Sequence, residues 1–176
     1  MANTQGTWKL VTPRLGAQPI TEVSTTQKHP FGTRLVVKDQ GGTTTYGEAE
    51  FVYVKGVASG AVAKWASYVN KSGLTVLAVA NTNGHLGVFV STLDATTKFG
   101  WLQIKGRCIG KSLTAYADAG IPYLTATAGS VDDASVAGDW IWGAIGANGG
   151  THTVGDLAGE FEINYPYAGQ RVSVAG

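Results

Sequence analysis

The chain has 176 residues and a formal net charge of +1; 44% of its residues are hydrophobic, 14% are charged, and 25 are glycine. That length supplies one domain with a real core, and the balance excludes a disordered chain and gives no electrostatic case for a nucleic-acid partner. A single cysteine, Cys108, excludes an internal disulfide, and no stretch approaches the roughly 18–20 apolar residues of a membrane helix, so no membrane partner is expected.

The N-terminal MANTQGTWKL lacks a basic start followed by an apolar run, which predicts a chain made without export. Residues 1–32 carry Pro13, Pro19 and Pro30 and show no sustained period of two or 3.6. Proline lacks an amide donor and pushes the preceding residue toward extended backbone. An extended N-terminal arm is therefore predicted over 1–32, ahead of a β domain over 33–176. Trp8, Leu10, Val11, Leu15, Ile20 and Val23 are too many apolar side chains for a free tail, so the arm is expected to grip something. Because they lie outside the strand pattern, residues 2–31 are expected to be removable without loss of the core.

From Thr33 the chain runs in short β-branched and aromatic stretches: TRLVVK, EAEFVYVKGV, GLTVLAVA, LGVFVS, FGWLQIKG, PYLTAT, DWIWGAIG and EFEINY. Turns rich in glycine and asparagine, such as Asn81-Thr82-Asn83-Gly84 and Asn148-Gly149-Gly150, separate them. This spacing predicts an all-β fold, an antiparallel β-sandwich, jelly-roll-like or barrel-like domain. Period two puts Glu48 and Glu50 on one side of a strand, with Ala49, Phe51, Tyr53 and Val57 on the other. In the same way Phe161, Ile163 and Tyr165 are expected to share a face against Glu160, Glu162 and Asn164. Leu74–Ala80 is apolar throughout and is read as a strand covered on both faces. Ser112–Ala119 is read as one or two helical turns, stopped by Gly120 and Pro122.

Little of this suggests catalysis. His29, His85 and His152 sit in turn-like sequence without the short ligand spacing that zinc requires, and are expected to face solvent. Cys108 lies between Arg107 and Ile109; neighbouring cations would activate a thiol, but alternation puts Cys108 opposite Arg107, as a small buried hydrophobe. Asp132, Asp133 and Asp139 lack the spacing of a calcium loop. The chain is therefore read as a non-enzyme with no cofactor and no metal. Trp140 and Trp142, two residues apart on one predicted strand, share a face and demand a large pocket or a partner surface, so self-association as a dimer or trimer is expected through them. A rival reading makes Trp140, Trp142, Tyr165 or Tyr167 stacking platforms of a carbohydrate-binding β-sandwich.

Charge is polarised along the chain. Lys9, Arg14, Lys28, Arg34 and Lys38 face one acid, Glu22, within residues 1–38, whereas residues 112–176 hold Arg171 against seven acids. With Trp8, Leu10 and Leu15, these cations make the arm a candidate contact for an acidic surface: the apolar groups supply affinity and the charges set register.

Three stretches, GTRLVVKDQGGTTTYGEAEFVYVKGVAS, YLTATAGSVDDASVAGDWIWGAIGA and GEFEINYPY, resemble the capsid cement or decoration proteins of tailed bacteriophages, with a likeness running from Gly32 to Tyr167. The resemblance implies a β-rich structural protein without catalytic residues. Such a protein would assemble in the host cytoplasm on the outer surface of an icosahedral head and clamp neighbouring major capsid protein subunits. On that reading the capsid contacts would be Trp8, Lys9, Leu10, Arg14, Leu15, Lys28, Arg34 and Lys38 of the basic N-terminal region.

Overall fold

Alternating apolar and polar side chains make Arg34–Asp39 (β2) a half-buried strand, in which Leu35, Val37 and Asp39 point inward and Arg34, Val36 and Lys38 outward. The computed structural model describes residues 8–10, 16–39, 46–113, 116, 119–147 and 158–169. The other strands are β1 (Trp8–Leu10), β3 (Glu48–Lys55), β4 (Trp65–Tyr68), β5 (Thr75–Leu77), β6 (Gly84–Phe89) and β7 (Phe99–Lys111). They are followed by β8 (Tyr123–Leu124), β9 (Val131–Asp132), β10 (Ile141–Gly146) and β11 (Ala158–Ala168). The fold is all-β, and the described residues contain no helix.

Nine strands form one curled antiparallel sheet in the order β1-β2-β3-β7-β11-β6-β4-β5, with β10 on β11; β8 and β9 form a separate pair. β11 organises the sheet. Its first half pairs with β7, Phe161 opposite Cys108, and its end pairs with β6, Tyr167 opposite His85. Along its other edge β10 runs past both halves. β6 also meets β7 directly, Val88 opposite Gln103, and this join curls the sheet.

Curling creates buried space on both sides of the central strands. Leu35, Val37, Phe51, Tyr53 and Trp101 pack together on one side of β3, while Val52, Val54, Tyr68, Phe89, Leu102 and Ile104 pack on the other. The acidic row expected on β3 therefore ends at Glu50, and from Phe51 to Val54 every side chain is buried. A register shift against β7 falls between Glu50 and Phe51. Gly106, at φ +92°, permits the close approach there, since a Cβ would lie 2.4 Å from the Glu48 carbonyl.

Three local expectations are corrected. Leu74–Ala80 is not covered on both faces: β5 is an edge strand, and Leu74 and Val76 are exposed. Of the helical turns expected over Ser112–Ala119, residues 114, 115, 117 and 118 lie outside the described residues; the stretch begins instead in sheet-type pairing, with Ser112 in a parallel bridge to Val131 and the Leu113 amide donating to the Val131 carbonyl. On β11, alternation holds through Ile163 and then breaks. Tyr165, at φ +50°, turns outward, away from the face of Phe161 and Ile163.

The described part of the segment before β2, residues 16–32, is irregular, with turns where the Glu22 and Thr33 amides donate to the Pro19 and Pro30 carbonyls, and it lies against the sheet. Ile20 joins the cluster with Phe51 and Trp101, Ser24 forms a two-way backbone bridge with Phe99, and Gln18 is buried. Residues 16–32 thus act as a cover over β3 and β7. Removing them would strip packing and hydrogen bonds from the sheet, so the structure predicts a loss of stability where the sequence reading expects tolerance.

Candidate functional site

The most open concentration of recognition chemistry is an aromatic row across β4, β6, β11 and β10. Ile141, Ala168 and Leu86 are buried in a common core cluster. Their chain neighbours Trp142, Tyr167 and His85 must therefore point to the opposite face. Register aligns them: Trp142 lies opposite Tyr167, and Tyr167 opposite His85. The His85 and Tyr167 ring centroids are 5.7 Å apart in an edge-to-face arrangement, and Tyr68 continues the row 5.8 Å beyond His85. At the other end Trp140 meets Trp142 at 5.2 Å, and Tyr123 backs Trp140 at 6.0 Å.

The ends of this row are buried and its middle is open. Tyr68 and Tyr123 are under 9% exposed, whereas Trp140, Trp142 and Tyr167 keep 38%, 36% and 43% of their surfaces open. A ring that presents on the order of 200 Å² loses about 80 Å² on being covered, worth about 2 kcal/mol. Three such rings side by side constitute a surface with affinity to offer.

A polar group borders the row. Tyr165, turned out by its positive φ, donates its hydroxyl to Glu50 Oε2 at 2.6 Å, and Arg34 Nη1 reaches Glu50 Oε1 at 3.2 Å. The Arg34 guanidinium and the Lys105 ammonium stand 5.5 and 5.6 Å from the Tyr165 ring centre. The hydrogen bond to Glu50, then burial and the Glu50 charge, push the Tyr165 hydroxyl pKa up; burial does the same for Tyr68. Both phenols remain protonated donors at neutral pH.

The bulge that exposes Tyr165 is set on the neighbouring strand. Pairing shifts between Trp142 and Ala144, so that the single residue Gly143 faces Asn164, Tyr165 and Pro166. Gly143 has φ +70°, and a Cβ there would sit 2.5 Å from the Asn164 carbonyl oxygen. Only glycine fits without strain.

Of the sequence-derived contacts, Trp140 and Trp142 are brought together on this face, and Arg34 stands at its border. Lys28 is tied to Glu22 of its own segment. Lys38 is exposed and stands opposite Glu48 on β3. Trp8, Lys9 and Leu10 form β1, with backbones paired to Asp39, Lys38 and Val37. Arg14 and Leu15 lie outside the described residues, as does His152. His85 and Tyr68 were missed as members of the row, because cross-strand register brings them there. Alternation from the buried Leu86 would have placed His85 on the open face.

The other candidate chemistry is structural. Cys108 is buried in the core, where burial and the Glu162 charge push its thiol well above the usual range, so the thiolate a nucleophile needs is absent at neutral pH. The Asp139 carboxylate accepts from the Asn81 amide at 2.5 Å and ties two loops together. Among the described residues, no three His, Cys, Asp or Glu side chains converge on a common metal position. Comparison with protein-family models, curated proteins and solved structures finds no match to this chain.

Proposed function

We propose that this chain is a structural virion protein, a capsid decoration protein that binds the outside of an icosahedral phage head and joins neighbouring major capsid subunits. In this reading the aromatic row, with Arg34 at its border, is the docking surface. The observation that carries the reading is the alignment of Trp140, Trp142 and Tyr167 on one open face. Tryptophan and tyrosine, flanked by arginine, are the residue types that dominate binding energy at protein interfaces. The resemblance read from the sequence of residues 32–167 prompts this reading, and the comparisons with known proteins add no support to it. A shell presents identical sites in large number, so a docking surface of modest size gains by repetition whenever copies of the chain also pair.

Purified heads lacking this chain, incubated with wild type or with Trp142→Ala/Tyr167→Ala, test it by densitometry of chain bound per particle. The double variant is expected to lose about tenfold or more in affinity. Full occupancy by the double variant overturns the aromatic face as the grip, and absence of binding by wild type overturns the decoration reading. Light scattering of wild type and Trp142→Ala reports whether the same face pairs copies of the chain.

A second reading rests on the hydroxyl and carboxylate beside the rings: Tyr165 and Glu50 next to the row offer a sugar the hydrogen bonds that accompany stacking. Glycan arrays and tryptophan-emission titrations with oligosaccharides distinguish the two. Saturable binding to a sugar, lost in the same double variant, favours a carbohydrate-binding module.

A further inference from the structure

The described histidines differ in their surroundings. His85 is exposed in the aromatic row, while His29, expected in solvent, is half-buried and built into the attachment of residues 16–32. Its Nε2 accepts the backbone amide of Gln18 at 3.0 Å. Its ring stands edge-to-face on Tyr53, 5.0 Å between centroids, and 5.4 Å from Trp101.

Gln18, held from one side by His29, is the hub of the attachment. Its carbonyl accepts from Trp101 Nε1 at 3.1 Å, its Oε1 accepts the Tyr53 hydroxyl at 3.0 Å, and its Nε2 donates to the carbonyls of Glu22 and Phe99. The Lys28 amide in turn donates to the Tyr53 hydroxyl at 3.1 Å. The bond from the Gln18 amide requires a lone pair on Nε2, and therefore a neutral ring.

We propose that residues 16–32 are a strap clasped onto β3 and β7 by the neutral imidazole of His29, and that protonation of this ring below neutral pH releases the strap. A proton on Nε2 sets donor against donor at the Gln18 amide and orphans that amide in a half-buried site. The groups around the ring reinforce the effect. Lys28 adds like charge from the strap itself, already paired with Glu22; Tyr53 from β3 is a neutral phenol with its pKa pushed up by burial; and Trp101 from β7 carries no titratable group. Burial first, and the Lys28 charge second, hold the His29 pKa below its ordinary 6.5. A group whose pKa is lowered in the closed state stabilises that state fully above its free value and loses the contribution as pH falls below it. The clasp is therefore complete above about pH 6.5 and weakens under it, by up to about tenfold in the opening equilibrium per pH unit until the clasped ring itself titrates. Release uncovers Trp101 and Tyr53.

Amide hydrogen exchange of the full chain at pH 7.5 and 5.5, corrected for intrinsic rates, tests the clasp. Protection at Gln18 is expected to fall about tenfold in wild type and in His85→Gln, to stay level in His29→Gln, whose side-chain oxygen still accepts the Gln18 amide, and to stay level at Phe161 in every protein. A level Gln18 in wild type, an equal fall in His29→Gln, or an equal fall at Phe161 overturns the proposal. If His29→Gln does not fold, nuclear magnetic resonance titration of the wild-type ring decides: a pKa below 6.5 together with the Gln18 fall supports the clasp, and a pKa at or above 6.5 overturns it.

Discussion

Two aromatic groups on this sheet differ less in composition than in cover. Tyr53, Trp101 and His29 on one side and Tyr68, His85, Tyr167, Trp142 and Trp140 on the other each combine phenol, indole and imidazole at ring spacings of 5 to 6 Å. Over the first lies the strap, and Trp101 and Tyr53 are fully buried with their polar atoms bonded to Gln18. The second has no such segment over it among the described residues, and its central rings remain about two-fifths open. The first group shows how this chain satisfies aromatic surface when the contact is internal: close ring packing, plus partners for the Tyr53 hydroxyl, the Trp101 indole N–H and His29 Nε2. A partner for the second group is expected to bring the same things, apolar cover and a few acceptors.

The comparison breaks most severely if the strap is removed. Deleting residues 2–31 exposes Trp101 and Tyr53 and orphans their donors, for an expected loss on the order of 5 kcal/mol, read from urea unfolding. Native stability in the truncated chain would show that the cover is dispensable and the two groups equivalent. Gly143→Ala attacks the open side: φ +70° and the carbonyl at 2.5 Å predict a loss of about 3 kcal/mol, with Trp142 and Tyr165 displaced and docking reduced, while the indole resonance of Trp101 stays in place. Gln18→Ala is the covered-side counterpart. It removes the acceptor of the Tyr53 hydroxyl and two donors to backbone carbonyls, at about 2 kcal/mol, and should leave head binding at wild-type levels. Smallest is Lys28→Ala, which breaks a largely solvated ion pair with Glu22 and should change stability by less than about 1 kcal/mol, while reducing the extent to which acid opens the strap, since the clasped His29 pKa then lies closer to its free value.

What could be read from the sequence follows from how local each feature is. β2 and the first half of β11 alternate because one face of each is packed and the other wet, a period any window of six residues displays. Trp140 and Trp142 were legible as a pair for the same reason. Tyr165 was not, because its direction is decided by a glycine on another strand, 22 positions away. Leu74–Ala80 misled because an apolar run looks the same at a sheet edge as in its middle. β7 was read as ending near Gly106, but it continues to Lys111, since Arg107 and Lys111 pair across to Glu162 and Ala158 on β11. The role of His29 depends on contacts to Gln18, Tyr53 and Trp101, and no periodicity links those positions.

The three partners of β11 bear on how the molecule is made. Its aromatic face draws one ring each from β4, β6 and β11 and two from β10 and its approach, so the face does not exist until residues beyond 157 have left the ribosome. At roughly 5–20 residues per second, the stretch from Lys111 to Ala168 takes several seconds to synthesise. During that interval β2, β3, β6 and β7 are free to pair, and the strap is free to settle on Trp101, with the aromatic face not yet assembled. A nascent chain built in this order can reach its internal contacts before its open aromatic face is complete.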